Sequence, residues 1–526
     1  MGSTRREMVD VVLVDDDEPT AHAGGTSATG TSAFEPLDPP PPPRDRRLVW
    51  RRRARRWWPV AAGLALVLGT TGVVADRRET RRMAALADVP GILAPLGDTL
   101  SERWRIDDLQ YWLVGTTAEL LIGTLDRPDG SGAVVGLEAA TGDVAWEVAT
   151  RQASAANYGT QCAAPISRPT TDPAGAAAVV ACVLIDEIES VTVAAIGEAS
   201  FPSKARLLVL DATDGTVLAD EPTDPSAMVF AAGADLVIGQ VRPDGRYQVS
   251  RQNGWDAPAR WTFTTPDPLG VDEFGHHSAW AHATGDLIQV ESWSMSSDGG
   301  ARASWVLDAD GSALRSPTGT DSDAFGAGYG DGYGVLRRGR LLTEPGIATG
   351  SSYTMLTDLA TGSSFRVDAS PFDALPDDGS LDDLVLAQSS SGVDLIAYSL
   401  AAGRPLWTVP DPSTTGAMII EGRIVRAETD RLVSIDGRTG ETIWSTPIDG
   451  SQMSADSYQA TTTSVFTDGR VVLVVGLDPT QVPEVTAYGL NDGRKLWSSP
   501  LPRGVWLHEF DGELYGQSDQ GFLALG

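Results

Sequence analysis

Five histidines and two cysteines are the residues of this chain that first invite a chemical reading. Three of the histidines share one stretch with two acids: Asp272-Glu273-Phe274-Gly275-His276-His277-Ser278-Ala279-Trp280-Ala281-His282. Imidazoles and carboxylates are ligands for divalent metals. On a strand, however, His276 and His282 share a face about 20 Å apart (~3.3 Å per residue), too far to hold one ion, so the stretch reads as a polar loop and strand. Asp308-Ala309-Asp310-Gly311 has the opening of a calcium loop without the bidentate Glu downstream, and reads as a hairpin turn. The glycines at 326, 328, 330, 332 and 334 precede no Lys-Ser/Thr pair, so a phosphate cradle has no support. No Ser-His-Asp constellation is evident. Cys162 and Cys182 lack the CxxC spacing of a metal site. In an oxidising compartment such a pair reads as a disulfide joining neighbouring strands of one sheet module, although sequence does not show that the two sulfurs meet. No catalytic, cofactor-binding or metal-binding residue is expected.

The elements that carry these residues follow one repeated pattern from about residue 100: a strand, an Asp or small residue, a glycine turn, and a second strand. The clearest copies are AVVGLEAATGDVAWEV, LIAYSLAAGRPLWTVP, RLVSIDGRTGETIWSTP and VTAYGLNDGRKLWSSP. Their turn glycines are Gly142, Gly403, Gly440 and Gly493, and a tryptophan follows four residues later in each: Trp146, Trp407, Trp444 and Trp497. Weaker copies turn at Gly215, Gly311 and Gly362, where the aromatic is absent or is Phe365, and an irregular copy ends near Trp261. An xDG or xTG pair supplies the positive-φ positions of a tight hairpin, so the two strands lie antiparallel. The indole then projects from the outer strand and covers the gap to a neighbouring sheet. Small sheets with two apolar faces must stack, and radial stacking closes a ring with only short edges exposed. The last residues, DGELYGQSDQGFLALG, give two strands and stop short of an outer strand. Leu100-Ser101-Glu102-Arg103-Trp104-Arg105-Ile106-Asp107 supplies one, which would close the ring as a clasp. The expected fold class is therefore all-β, a closed propeller of four-stranded blades. Eight hairpins plus the split module would make nine blades; eight is the number expected, with seven to nine open.

The segments Leu137 to Trp146, Ile435 to Trp444 and Ala487 to Trp497 resemble the pyrroloquinoline-quinone-type (PQQ-like) propeller repeat, roughly ALDxxTGxxxW. The resemblance covers about residues 100–526. It implies that Trp104, Trp146, Trp407, Trp444 and Trp497 are structural residues docking blade to blade. It does not specify a cofactor, because the superfamily holds quinoprotein alcohol dehydrogenases and also cofactor-free propellers such as an outer-membrane-protein assembly scaffold. Quinoproteins carry an adjacent Cys-Cys disulfide over the quinone and bind Ca²⁺ through carboxylate and amide oxygens. Here Cys162 and Cys182 are not adjacent, and no CxxCH is present to attach haem. The expectation is a binding or scaffold module for an envelope protein or polymer. A PQQ/Ca-dependent dehydrogenase, or a carbohydrate-active hydrolase or lyase, is the alternative.

Charge and hydropathy place the domain. The formal charge is −31, but residues 1–56 hold ten Arg and nine acids, leaving 30 basic and 62 acidic side chains beyond them. A domain at −32 repels phosphate backbones, so nucleic acid is not an expected partner. Residues 57–75, WWPVAAGLALVLGTTGVVA, run 19 residues without a charge. That is long enough to cross a ~30 Å hydrocarbon core, with two tryptophans at its edge. Eight arginines (44, 46, 47, 51, 52, 53, 55 and 56) precede it and four (77, 78, 81 and 82) follow, which puts the N-terminus in the cytoplasm. The rival reading is a cleaved signal peptide ending at Val73-Val74-Ala75, with an n-region far beyond the usual length. Residues 1–56, with five prolines from Pro39 to Pro43, cannot bury a core and are expected to be a disordered cytoplasmic tail. Within it, the strand-forming run Met8 to Val14 and the acids that follow to Glu18 could add to the sheet edge of a cytoplasmic partner. Residues 76–99 read as a juxtamembrane linker and 100–526 as the extracytoplasmic propeller.

Overall fold

The computed structural model describes residues 77–526 apart from internal stretches, the longest being 165–177, 316–333 and 449–464. The tail 1–56 and the apolar run 57–75 lie outside the described residues, among which no helix is long and apolar enough to cross a membrane.

The described strands make nine four-stranded antiparallel sheets. Eight are continuous in sequence: blades 1 to 8 occupy 110–151, 161–223, 228–264, 278–315, 334–367, 369–410, 417–447 and 465–500. Blade 9 takes three strands from 506–525 and its outermost from Glu102–Asp107, which pairs antiparallel with Gly521–Leu525. The clasp inferred from the two chain segments is therefore formed. The expected number of eight blades is corrected to nine. Each weak copy, at Gly215, Gly311, Gly362 and near Trp261, belongs to a complete blade of its own rather than to an insertion.

Ring closure shows in the core. Nine apolar clusters fill nine seams, from blade 1 against 2 round to blade 9 against 1. They differ in size. Among the described residues, the buried cluster between blades 4 and 5 is Leu287, Val306 and Leu342, whereas the seam of blades 7 and 8 gathers Met418, Ile420, Val425, Val465, Val472 and Tyr488 with others.

The turn chemistry departs from the expectation in one respect. Only the glycine takes positive φ (76° at Gly142, 75° at Gly440), and the residues before it do not, so these are longer turns with a single left-handed position. In several the leading Asp accepts a backbone N–H two residues on, as Asp211 does from Thr213 and Asp436 from Arg438.

Cys162 and Cys182 face each other on the first two strands of blade 2 and are bonded. Closing a loop of about twenty residues stabilises by about 3 kcal/mol in the chain-entropy account. The double variant Cys162→Ala/Cys182→Ala should unfold at a correspondingly lower denaturant concentration, with the reduced wild type matching it. An unchanged midpoint in both would refute the estimate.

Residues 77–100 pack on the ring. Residues 77–86 are helical. Arg82 donates to Glu421 (2.6 Å) and to the Gly469 carbonyl (2.5 Å), and Leu86 is buried in the seam of blades 7 and 8. The chain then crosses the first turns of blades 8 and 9: Leu93 N–H donates to Thr467 O, Leu96 N–H to Asp468 and Ala94 N–H to Gly512 O. All of these contacts lie at one end of the innermost strands, where the first strand of a blade turns into its second.

Candidate functional site

The tryptophans of the repeat are occupied in construction. Trp104 Nε1 donates to Ala139 O of blade 1, Trp146 to Ala212 O of blade 2, Trp407 to Gly437 O of blade 7 and Trp444 to Leu490 O of blade 8. Each accepting carbonyl lies three residues before the next blade's turn glycine, and a Cβ at Gly142, Gly215, Gly440 or Gly493 would fall 2.5–2.9 Å from the indole. The glycine thus leaves the space the neighbouring tryptophan fills. Trp261 docks the same way on Ala309 O and Gly311, and Phe365 on Gly403. Trp497 is partly buried in the seam of blades 8 and 9.

Among the described residues, three other indoles are left open. Trp112 (50 % exposed), Trp280 (40 %) and Trp506 (36 %) stand on the first, innermost strands of blades 1, 4 and 9, Gln110–Thr116, Ser278–Thr284 and Trp506–Phe510. All three lie toward the start of the strand, the end opposite to the turns that residues 77–100 cross. The strand ends joined by 316–333 and 448–464, the two longest connections, lie at this same end, as do those joined by 265–277, whereas 164–178 joins strands at the opposite end. An exposed indole offers a large rigid contact area with a polar edge.

Beside Trp280 the seam of blade 4 turns polar. His282 stacks on the indole at 4.3 Å and 24°, and Gln289 and Glu291 on the paired strand are buried, 2.5 Å apart. Burial pushes the His282 imidazole below its ordinary pKa, against the pull of Glu291, so the ring is neutral near pH 7. His276 and His277 lie outside the described residues. Among the described residues no group of three or more His, Cys, Asp or Glu is arranged to hold a metal, and the Asp308 turn carries Asp310 and Ser312 N–H bonds. Sequence reasoning passed over Trp112 and Trp506 because neither follows a turn glycine by four residues. An indole on the first strand of a module rather than the fourth was the available signal.

Two cavities are lined by described residues alone. One, of about 330 Å³, sits on the loop face of blade 9 among Arg105, Asp107, Arg503 and Ser518. The other, of about 450 Å³, lies at the opposite end, between residues 87–92, the Glu509–Gly512 turn and Thr116. There Glu509 accepts the Gly512 N–H at 2.8 Å, and burial raises its carboxyl above the ordinary range, with that hydrogen bond opposing and Asp511 adding.

Residues 348–521 match the family described as outer membrane protein assembly factor BamB. Among solved structures, BamB from Moraxella catarrhalis is similar at 15% identity over 81% of this chain and 97% of that one, with a TM-score of 0.38. The quinohemoprotein alcohol dehydrogenase ADHIIG from Pseudomonas putida HK5 is similar at 13% identity over 85% and 81%, with a TM-score of 0.36. No curated protein matches the chain in sequence.

Proposed function

From the premise that this is a PQQ-like repeat propeller, we propose that it is a membrane-tethered binding platform for a protein or polymer of the cell envelope. The observation that carries the reading is the division of the tryptophans among the described residues: repeat indoles are engaged in docking, while Trp112, Trp280 and Trp506 stay open at the end of the innermost strands where the two longest connections join. A rigid ring presenting loops and a few indoles suits recognition, because the scaffold fixes their geometry and a few such residues supply most of the affinity. The match to an assembly factor over 348–521 supports a protein partner. In this reading residues 1–56 lie in the cytoplasm, 57–75 span the membrane and the ring lies outside, with 8–18 free to engage a cytoplasmic partner. The quinoprotein alternative requires PQQ and Ca²⁺.

Crosslinking in intact cells should give a reproducible envelope partner that the variant Trp112→Ala/Trp280→Ala/Trp506→Ala loses at least tenfold, since a central indole contributes about 2 kcal/mol or more to an interface. Equal recovery from the variant would sink the assignment of this face. Dye reduction with any alcohol after reconstitution with quinone and Ca²⁺ would replace the platform by the dehydrogenase.

A further inference from the structure

The 450 Å³ cavity at the other end of the ring is made from three separate pieces of chain. Residues 87–92 form one wall, the Glu509–Gly512 turn of blade 9 another, and Thr116 of blade 1 closes it. The pieces are held together by the packing of the segment itself. Ala94 N–H donates to Gly512 O, Leu93 N–H to Thr467 O, and Ile92 bridges to Thr467. The cavity therefore exists only while residues 87–96 are docked.

Its walls are of two kinds. Val89 and Phe510, each partly buried, supply apolar surface, while Ile92 is buried in the seam of blades 7 and 8. Glu509 stands half-buried among them, its carboxylate accepting one backbone N–H and making no ion pair among the described residues. Asp88 and Asp511 are the other charged groups lining it, and no lysine or arginine does. An ionised carboxylate held partly out of water in an apolar recess is costly unless a cation meets it. The surrounding domain, with its excess of acids, adds a field of the same sign. An anionic ligand would be repelled, and a purely apolar one would leave Glu509 uncompensated.

We propose that this cavity binds an ammonium or guanidinium group carried on an apolar stem, with Glu509 as its counter-charge and Val89 and Phe510 beside the stem. The same chemistry has two sources, a free organic amine or the lysine or arginine side chain of a partner. Because residues 87–92 are a wall, occupancy stabilises the docked segment, and undocking destroys the site. The site is independent of the loop-face reading: Trp506 starts the innermost strand of blade 9 and Glu509 stands near its other end.

The test uses the full chain with isoamylamine and agmatine as free-amine probes, the capped peptide Leu-Lys-Leu as the side-chain probe, and isoamyl alcohol as the uncharged control. Calorimetric titration should show saturable binding of at least one cationic probe, at least tenfold tighter than the alcohol, with slower amide exchange at residues 87–96 on binding. Preference for the peptide over both amines assigns the site to a partner's side chain, and the reverse preference to a free amine. Glu509→Gln, which keeps the shape, should weaken binding at least tenfold while leaving the unfolding midpoint close to wild type. Val89→Trp, which fills the cavity, should abolish it. Binding no tighter than that of the alcohol, or unchanged affinity in Glu509→Gln, overturns the proposal. Trp112→Ala/Trp280→Ala/Trp506→Ala should bind the probes as wild type does, so failure here and failure of the platform reading are told apart.

Discussion

Trp104→Ala should lower the stability of the ring by about 3–5 kcal/mol, the range for removing a large buried aromatic. Trp104 is 8 % exposed, packs on Phe522 and Tyr515 at ring-centroid distances of 5.9 and 6.4 Å, donates to Ala139 O, and covers Gly142 of blade 1. Its loss removes apolar contact on both sides of one seam. That seam is also the joint where the two ends of the propeller segment meet, because the strand Glu102–Asp107 is the outermost of blade 9. The damage should therefore be local before it is global, with amide exchange accelerating first in Glu102–Asp107 and Gly521–Leu525. Denaturant unfolding and exchange mass spectrometry measure both. Trp112→Ala, which removes an exposed indole, should change stability by less than about 0.5 kcal/mol. Equal effects of the two substitutions would contradict the clasp.

Arg251→Ala should cost about 3–5 kcal/mol, toward the lower end. The guanidinium is nearly buried and joins Asp235 in its own blade (2.7 Å) to the Asp286 carboxylate (3.2 Å) and carbonyl (3.3 Å) in the first turn of blade 4. Removing one partner of a buried ion pair leaves the other charge without its solvation. Asp235 keeps Arg260 at 2.6 Å, which moderates the loss. Replacing both residues by apolar ones, Arg251→Met with Asp235→Leu, should restore most of the stability, since the pair's attraction is largely offset by desolvation. A double variant as unstable as the single would show that the bridge between blades 3 and 4 matters more than the stranded charge. Equilibrium unfolding of the two variants decides between them.

The repeat was legible because its signal is local. A turn glycine and an indole four residues later sit on one hairpin, and both are needed wherever an outer strand covers the next blade's turn, as Trp146 covers Gly215 and Trp444 covers Gly493. The matched family segment, 348–521, is where three of the four clean copies fall. The cysteine pairing was legible in part, since two bridged strands of one module suit a 20-residue spacing. The open indoles of the candidate face carried no such period. Trp112, Trp280 and Trp506 stand on the first strand of a blade and follow no turn glycine by four residues, and their exposure is set by neighbouring blades that a short-range spacing does not reach.

The sequence by itself determined the repeating unit, its antiparallel hairpins, and the clasp that joins Glu102–Asp107 to the last module. Those features follow from turn chemistry and alternation within a few residues. Tertiary structure alone decided that the ring has nine blades and not eight. Where the indole is missing, other contacts hold a seam, as Leu287, Val306 and Leu342 do between blades 4 and 5. It also decided that residues 77–100 pack across the turns of blades 7 to 9, enclosing a cavity with Glu509. Those contacts join residues hundreds of positions apart, and their energy depends on which surfaces the closed ring brings together.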